Sequence, residues 1–397
     1  MDFIVRIYYY FKYTMDKNKA IATYLKKERE SLKYSLKQVT EKMGFSNYQT
    51  LSSIESGERE IKAWELAKLA EIYGRKIDYF LSSQAELAQP RILWRNPEKT
   101  ENKIEAERRF ISFCQNYKRL LELTREEDIK LPVLAQPEKN EFKKGSFDYA
   151  IELAEEYRRT LNLGGRPAYS LPTVLEQLLN ILILYIDVGS IVSGASTSGD
   201  FGKAILVNSS DAPWRRNYDL AHEFFHLITW DLFSDKEIYS ASKTGKSEVE
   251  QWADAFASAF LLPSEEVRRE FSKRLEGTKI SYINLVEIAR EFRVSIEALL
   301  WRLINLKLLK RKDVIGCIED GKIKDIDKKM RITDWADNKP YLSSRYITLA
   351  IKALQLGKIS KAKFAEYIDK PFSETSSFLR KYGYDENEDY SVAFTAT

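Results

Sequence analysis

Histidine and cysteine are scarce in this sequence: two of each occur in 397 residues. Cys114 and Cys317 lie far apart and form no metal-spaced cluster, which fits a reducing cytoplasm. Long apolar runs are missing as well. No stretch is long enough to span a bilayer, so no membrane partner is expected. An excess of one charge is also lacking. The formal net charge of +4 neither demands nor forbids nucleic acid or acidic partners. What remains is ordinary for a soluble protein: 44% hydrophobic and 31% charged residues, enough for a large core in two or three domains.

Both histidines fall in one short stretch, Ala221-His222-Glu223-Phe224-Phe225-His226. Residues i and i+4 share a helix face, so His222 and His226 can hold one metal ion while Glu223 reaches a water beside it. From Leu220 to Trp230 there is no Gly or Pro, and Asn217 or Asp219 is expected to cap the helix start. A third ligand is needed, with a fourth position left open. Glu250 and Asp254, one turn apart in a second helix that ends before Pro263, supply it. Glu250 is read as the ligand, and Asp254 as the acceptor that orients a ligand histidine. The bland alternative for these four groups is a pair of solvated polar helix faces.

Two segments carry a specific resemblance. Trp214-Arg215-Arg216-Asn217-Tyr218-Asp219-Leu220-Ala221-His222-Glu223-Phe224-Phe225-His226, followed by Glu250-x-x-Ala253-Asp254-x-Phe256-Ala257-x-x-Phe260-Leu261-Leu262-Pro263, resembles the ImmA/IrrE family of metallopeptidases. The segment Ala289 to Leu299 is similar to that family too. The resemblance implies a zincin-like fold in an intracellular bacterial or phage protease. It also implies an association with repressor-like DNA-binding domains and, in some members, cleavage of a repressor.

The chain is expected to be mainly α with a small β-sheet, an α+β protein of five parts. Residues 1–14, aromatic and interrupted by Arg6 and Lys12, form an extension of unclear role. Residues 15–83 read as short helices stopped by Gly44 and Gly74, and resemble a Cro/repressor-type helix-turn-helix with Arg29 and Glu55 as its internal ion pair. Residues 84–146 read as a helical connector, 147–310 as the peptidase domain and 311–397 as a helical C-terminal domain. Within residues 147–310, Ile181 to Ile186 reads as a buried strand. Ser193 to Gly202 reads as a hairpin turn, and Lys203 to Asn208 as the return strand. An edge strand there would pair with an extended substrate.

The helix-turn-helix implies double-stranded DNA as a partner, with a homodimer through that domain left open. The second helix of such a pair enters the major groove. Ser46, Asn47, Gln49 and Thr50 are the candidates for base edges, and Lys37, Lys42, Arg59 and Lys62 for phosphates. Thirteen Lys and Arg against ten Asp and Glu over residues 16–83 make a weak electrostatic footprint.

The function expected is a metal-dependent endopeptidase joined to a DNA-binding domain, cleaving a repressor-like protein. One divalent ion is implied, zinc by its ligands, with manganese or iron as alternatives. Glu223 would act as general base, and Tyr218, Arg216 or Tyr239 would steady the oxyanion. The rival is a non-proteolytic helix-turn-helix regulator whose peptidase-like domain senses a ligand or docks a partner.

Overall fold

The computed structural model describes residues 18–19, 21–30, 32, 34–75, 77–81, 90–95, 101–126, 132–189, 193–240, 245–331 and 342–384. The aromatic stretch Met1 to Thr14, residues 96–100 and residues 385–397 lie outside the described residues. The chain divides into two compact units, Met1–Pro90 and Arg91–Thr397. From Arg91 on, the residues expected as a connector and those expected as a C-terminal domain therefore fall in one unit with the His-bearing helix.

The first unit is a set of short helices: α1 over residues 21–30, α2 Leu36–Met43, α3 Tyr48–Glu55, α4 Ala63–Ile72 and α5 Ile77–Leu81. Local chemistry sets their ends. Ser35 and Gln38 close a capping box on α2, and Gly44 takes the left-handed conformation (φ 76°) that stops it. Asn47 caps α3 by accepting from the Thr50 N–H. Leu25, Val39, Leu51, Leu69 and Tyr73 fill the core. Across it the Arg29 guanidinium donates to Glu55 at 2.8 Å, a buried pair that ties α1 to α3. A fork of parallel donors matches a carboxylate geometrically, so this pair also fixes how the two helices approach.

The second unit begins with β1 Ile92–Trp94, then α6 Glu101–Thr124, α7 Asp148–Thr160 and α8 Leu171–Gln177. Three strands follow: β2 Leu182–Ile186, β3 Gly194–Gly199 and β4 Gly202–Asn208. Next come α9 Pro213–Ile228, α10 Asp235–Tyr239, α11 Glu248–Leu261, α12 Ser264–Lys273, α13 Tyr282–Glu291 and α14 Ile296–Asn305. The remainder is α15 Arg311–Glu319, α16 Lys322–Met330, α17 Ser344–Gln355, α18 Lys361–Tyr367 and α19 Thr375–Lys381.

The sheet order is β1-β3-β4-β2, with β1 and β4 antiparallel to β3 and β2 parallel to β4. Ile183, Ile205 and Val207 face a core built with α7, α9 and α11. Leu182, Leu184, Ile186 and Leu206 face the opposite core with α6 and α17. Helices thus cover both faces. That is why β2 is a continuous apolar run rather than an alternating one.

Three expectations about the sheet are corrected. Ser193 to Gly202 is not a turn: most of it is β3, and the turn is only Asp200 and Phe201. The return strand does not pair back onto β2 as a hairpin, but runs parallel to it and antiparallel to β3. Lys203 to Asn208 is not an edge. β4 is flanked on both sides, so no substrate backbone can be added along it. The physical reason is that β3, Gly194–Gly199, is built of small residues without the bulky apolar side chains by which a strand is recognised, and its insertion between β1 and β4 takes the edge away from β4.

Candidate metal centre

α9 starts at Pro213, whose missing N–H costs nothing in the first turn. Asn217 and Asp219 are therefore interior residues, not caps. Asn217 donates its amide to the Arg293 carbonyl, and Asp219 is buried against Arg95. α11 is capped by Ser247, which accepts from the Glu250 N–H at 3.1 Å. Phe224 and Phe225 of α9 pack on Phe256 and Phe260 of α11, setting the two helices side by side.

That packing brings His222, His226 and Glu250 together. His222 Nε2 lies 3.2 Å from His226 Nε2 and 3.2 Å from Glu250 Oε2, and His226 Nε2 lies 3.1 Å from Glu250 Oε1. One donor atom from each of the three lies within 4.8 Å of the others. Two ring nitrogens facing each other inside a protein is an awkward pairing unless a cation joins them. The near-equal edges match the roughly 3.3 Å edge of a tetrahedron whose bonds are about 2.0 Å long, the geometry of nitrogen and oxygen ligands on zinc. The donor set thus fits a divalent ion.

His222 Nδ1 is 3.0 Å from Asp254 Oδ1. An N–H on that nitrogen, donated to the carboxylate, leaves Nε2 with its lone pair facing Glu250 and His226. Burial and the nearby Arg95 work against a charged His222. The hydrogen bonds to Asp254 and Glu250 outweigh them, and its pKa is pushed up to about 9. Burial also opposes the charged forms of Glu250 and Asp254, but their bonds to the imidazoles hold both well below the usual carboxylate range.

Glu223 sits beside the triangle, fully buried, with neither carboxylate oxygen partnered among the described residues. Burial pushes its pKa up. A buried carboxylate left without a protein partner is costly unless a water or ligand completes it. Of the three oxyanion candidates, Tyr218 donates its hydroxyl to the Asp254 carbonyl and Arg216 donates to the Ser209 carbonyl. The Tyr239 oxygen accepts from the Trp94 N–H at 2.9 Å, which leaves its proton to donate. Burial pushes the Tyr239 pKa up to about 12, so that proton stays in place at neutral pH.

Residues 176–303 match the family model described as Peptidase M78, IrrE N-terminal-like domain. This chain carries an IrrE N-terminal-like domain. It is a peptidase-family domain, and its matched span holds the three strands β2, β3 and β4 together with α9 and α11. Residues 25–80 match a helix-turn-helix family model, which supports DNA binding by the first unit. No curated protein matches the chain. Among the described residues, no helix is long and apolar enough to cross a membrane.

Two groups at this site carry no signal in the local sequence. Arg95, far outside the matched span, donates to both Asp219 and Asp254. Gly194 lies against Glu223. Nothing in local spacing points to either; Asp219, one turn before His222, offered only a weak hint as an acid in the motif helix.

In the helix-turn-helix unit, Lys37, Lys42, Ser46, Asn47, Gln49 and Lys62 are exposed and Thr50 is half-buried. Asn47 spends its side-chain oxygen on capping α3, accepting from both the N–H and the hydroxyl of Thr50. Arg59 donates to both oxygens of Glu65, which occupies the guanidinium expected to meet phosphate. Lys37, Lys42 and Lys62 remain outward as cations, with Lys42 lying over the Tyr34 ring.

Proposed function

We propose that this chain is a metal-dependent endopeptidase joined to a DNA-binding domain, and that it regulates transcription by cutting a repressor-like protein. The observation that carries the reading is the triangle of His222, His226 and Glu250 with the unpartnered Glu223 carboxylate beside it. His222, His226 and Glu250 hold one divalent ion, zinc by the donor set. When bound, that ion supplies Lewis acidity toward the scissile carbonyl and an attacking water.

The chain's own residues do the rest. Glu223 takes the proton of the attacking water and returns it to the leaving amine, a task helped by a carboxylate whose pKa burial has raised. Asp254 fixes the His222 tautomer. Tyr239 donates its hydroxyl to the developing oxyanion, because its oxygen is already anchored by Trp94. His222, Glu223 and His226 are all buried, which supports a restrained protease rather than a general one.

The test compares Glu223→Gln with the unmodified full chain on a candidate repressor from the same locus and on casein. The reading expects cleavage of the repressor at one site, slow digestion of casein, and loss of both in the Glu223 variant. Unaltered regulation in cells carrying Glu223→Gln would favour a protein that regulates by docking. Rapid casein digestion would end the idea of a single target.

A further inference from the structure

Arg95 follows β1 and is placed by it. Its main-chain N–H donates to the Gly194 carbonyl at 3.3 Å, so the residue is held at the start of β3, where that strand passes Glu223. From there the guanidinium reaches the two helices that carry the metal-ligand side chains. One terminal nitrogen donates to Asp219 of α9, and the other to Asp254 Oδ1 of α11 at 3.2 Å. The same Asp254 oxygen accepts from His222 Nδ1 at 3.0 Å. The other Asp254 oxygen meets Lys246 at 2.5 Å, from a half-exposed side chain.

We propose that Arg95 is a positioning residue for the metal site, acting through Asp254 on the orientation of His222. The inference rests on the metal reading above. The Asp254 carboxylate has two cations pulling it, Arg95 toward the site and Lys246 toward solvent. With Arg95 in place, Oδ1 stays on the His222 ring and presents Nε2 to Glu250 and His226. Without it, the carboxylate is free to swing to Lys246, and the imidazole loses the acceptor that fixes its tautomer. Asp219 makes the arrangement rigid. It is buried one turn before His222, and its carboxylate anchors the second arm of the guanidinium. A planar fork can bridge two carboxylates on two helices at fixed angles; an ammonium on a flexible stem holds them less firmly. The alternative is an ion pair that only fastens β1 to the helices, which would move folding stability and nothing else.

The experiment measures divalent-ion affinity of the purified full chain by competition between Zn²⁺ and a chelator. The variants are Arg95→Ala, Arg95→Gln, Arg95→Lys, Asp254→Ala and the double Arg95→Ala/Asp254→Ala, with His222→Ala as the reference for loss of the site. The melting midpoint of each metal-free variant is recorded alongside. Groups that orient metal ligands typically carry about tenfold to hundredfold in affinity. Arg95→Ala and Arg95→Gln are expected to weaken binding by that much, with Arg95→Lys in between. The double variant should bind no more weakly than Asp254→Ala alone, since both changes remove one pathway. With Co²⁺ in place of Zn²⁺, the visible band should shift in Arg95→Gln. Wild-type affinity in the folded Arg95→Gln protein would overturn the proposal, as would losses that multiply in the double variant. An unmodified chain whose metal does not depend on His222 would instead overturn the metal reading, and this inference with it.

Discussion

Gly194, the first residue of β3, lies so close to Glu223 that a Cβ built on it would stand 3.2 Å from both Cγ and Oε1 of that side chain. The same Cβ would lie 3.1 Å from the Leu206 carbonyl, so the strand cannot simply retreat. Gly194→Ala is therefore expected to push Glu223 by a few tenths of an ångström. Small misplacements of a catalytic group are costly, and peptide cleavage should fall roughly tenfold or more. Zinc affinity should be unchanged, because Glu223 is not among the ligand side chains. Full cleavage activity in Gly194→Ala would show that Glu223 has room to spare.

Metal content separates the ligands from the base. The purified chain should carry close to one divalent ion, measured by elemental analysis after gel filtration. His222→Ala, His226→Ala and Glu250→Ala should each lose it, since two ligands hold zinc far less firmly than three. Glu223→Gln should keep it. Retention of the ion by Glu250→Ala would move the third ligand elsewhere.

Glu176 sets a pH dependence of stability away from the metal site. It is buried at the end of α8, where burial raises its pKa from 4.5 to about 7 despite the Ser343 hydrogen bond and the nearby Arg345. The folded state then holds a proton that the unfolded state has released. Its contribution is fully present below pH 4.5 and is lost as pH rises through about 7. The span is about 3 kcal/mol at most. Glu176→Gln keeps a neutral side chain throughout, so its melting midpoint should gain on the unmodified chain between pH 5 and pH 8. Parallel midpoints for the two proteins over that range would contradict the assignment.

The aromatic seam between the metal-site helices should dominate the second unit's stability. Phe256 is fully buried, stacked on Phe260 with centroids 5.2 Å apart and tilted against Phe225 at 5.5 Å. Phe256→Ala removes that packing and leaves a cavity, for a loss of about 3–5 kcal/mol. Denaturant unfolding of the full chain, followed in the transition of the second unit, would register it. A loss under 1 kcal/mol would mean that the seam relaxes around the gap.

In the helix-turn-helix, the exposed polar residues divide between capping and contact. Asn47→Ala should cost the first unit about 1 kcal/mol, as loss of a helix cap does. Gln49→Ala should leave stability unchanged and relax operator preference. Lys37→Ala or Lys42→Ala should weaken binding to all sequences and reduce the salt slope by about one each. Titrations of the full chain with operator and random duplexes at several salt concentrations distinguish these outcomes. Equal binding of both duplexes by the unmodified chain would remove Gln49 from base readout.

That His222, His226 and Glu250 could come together was legible in the sequence because the main spacings are local. His222 with His226, and Glu250 with Asp254, are each one helical turn apart, and the turn fixes the shared face before any tertiary contact forms. The helix end at Gly44 was legible for the same reason. The sheet was not. Whether a strand is central or at an edge depends on partners that hydrogen-bond from elsewhere in the chain, and the buried Gly-Ala-Ser-Thr strand β3 carries none of the bulk by which strands are recognised. Nor was the environment of His222 complete: Arg95 stands 124 residues from Asp219 and 159 from Asp254, and no periodicity reaches that far. The local sequence determined which groups share a helix face. The tertiary structure decided which cation those groups meet, because only packing of the sheet on the helices brings β1 to the pair of carboxylates.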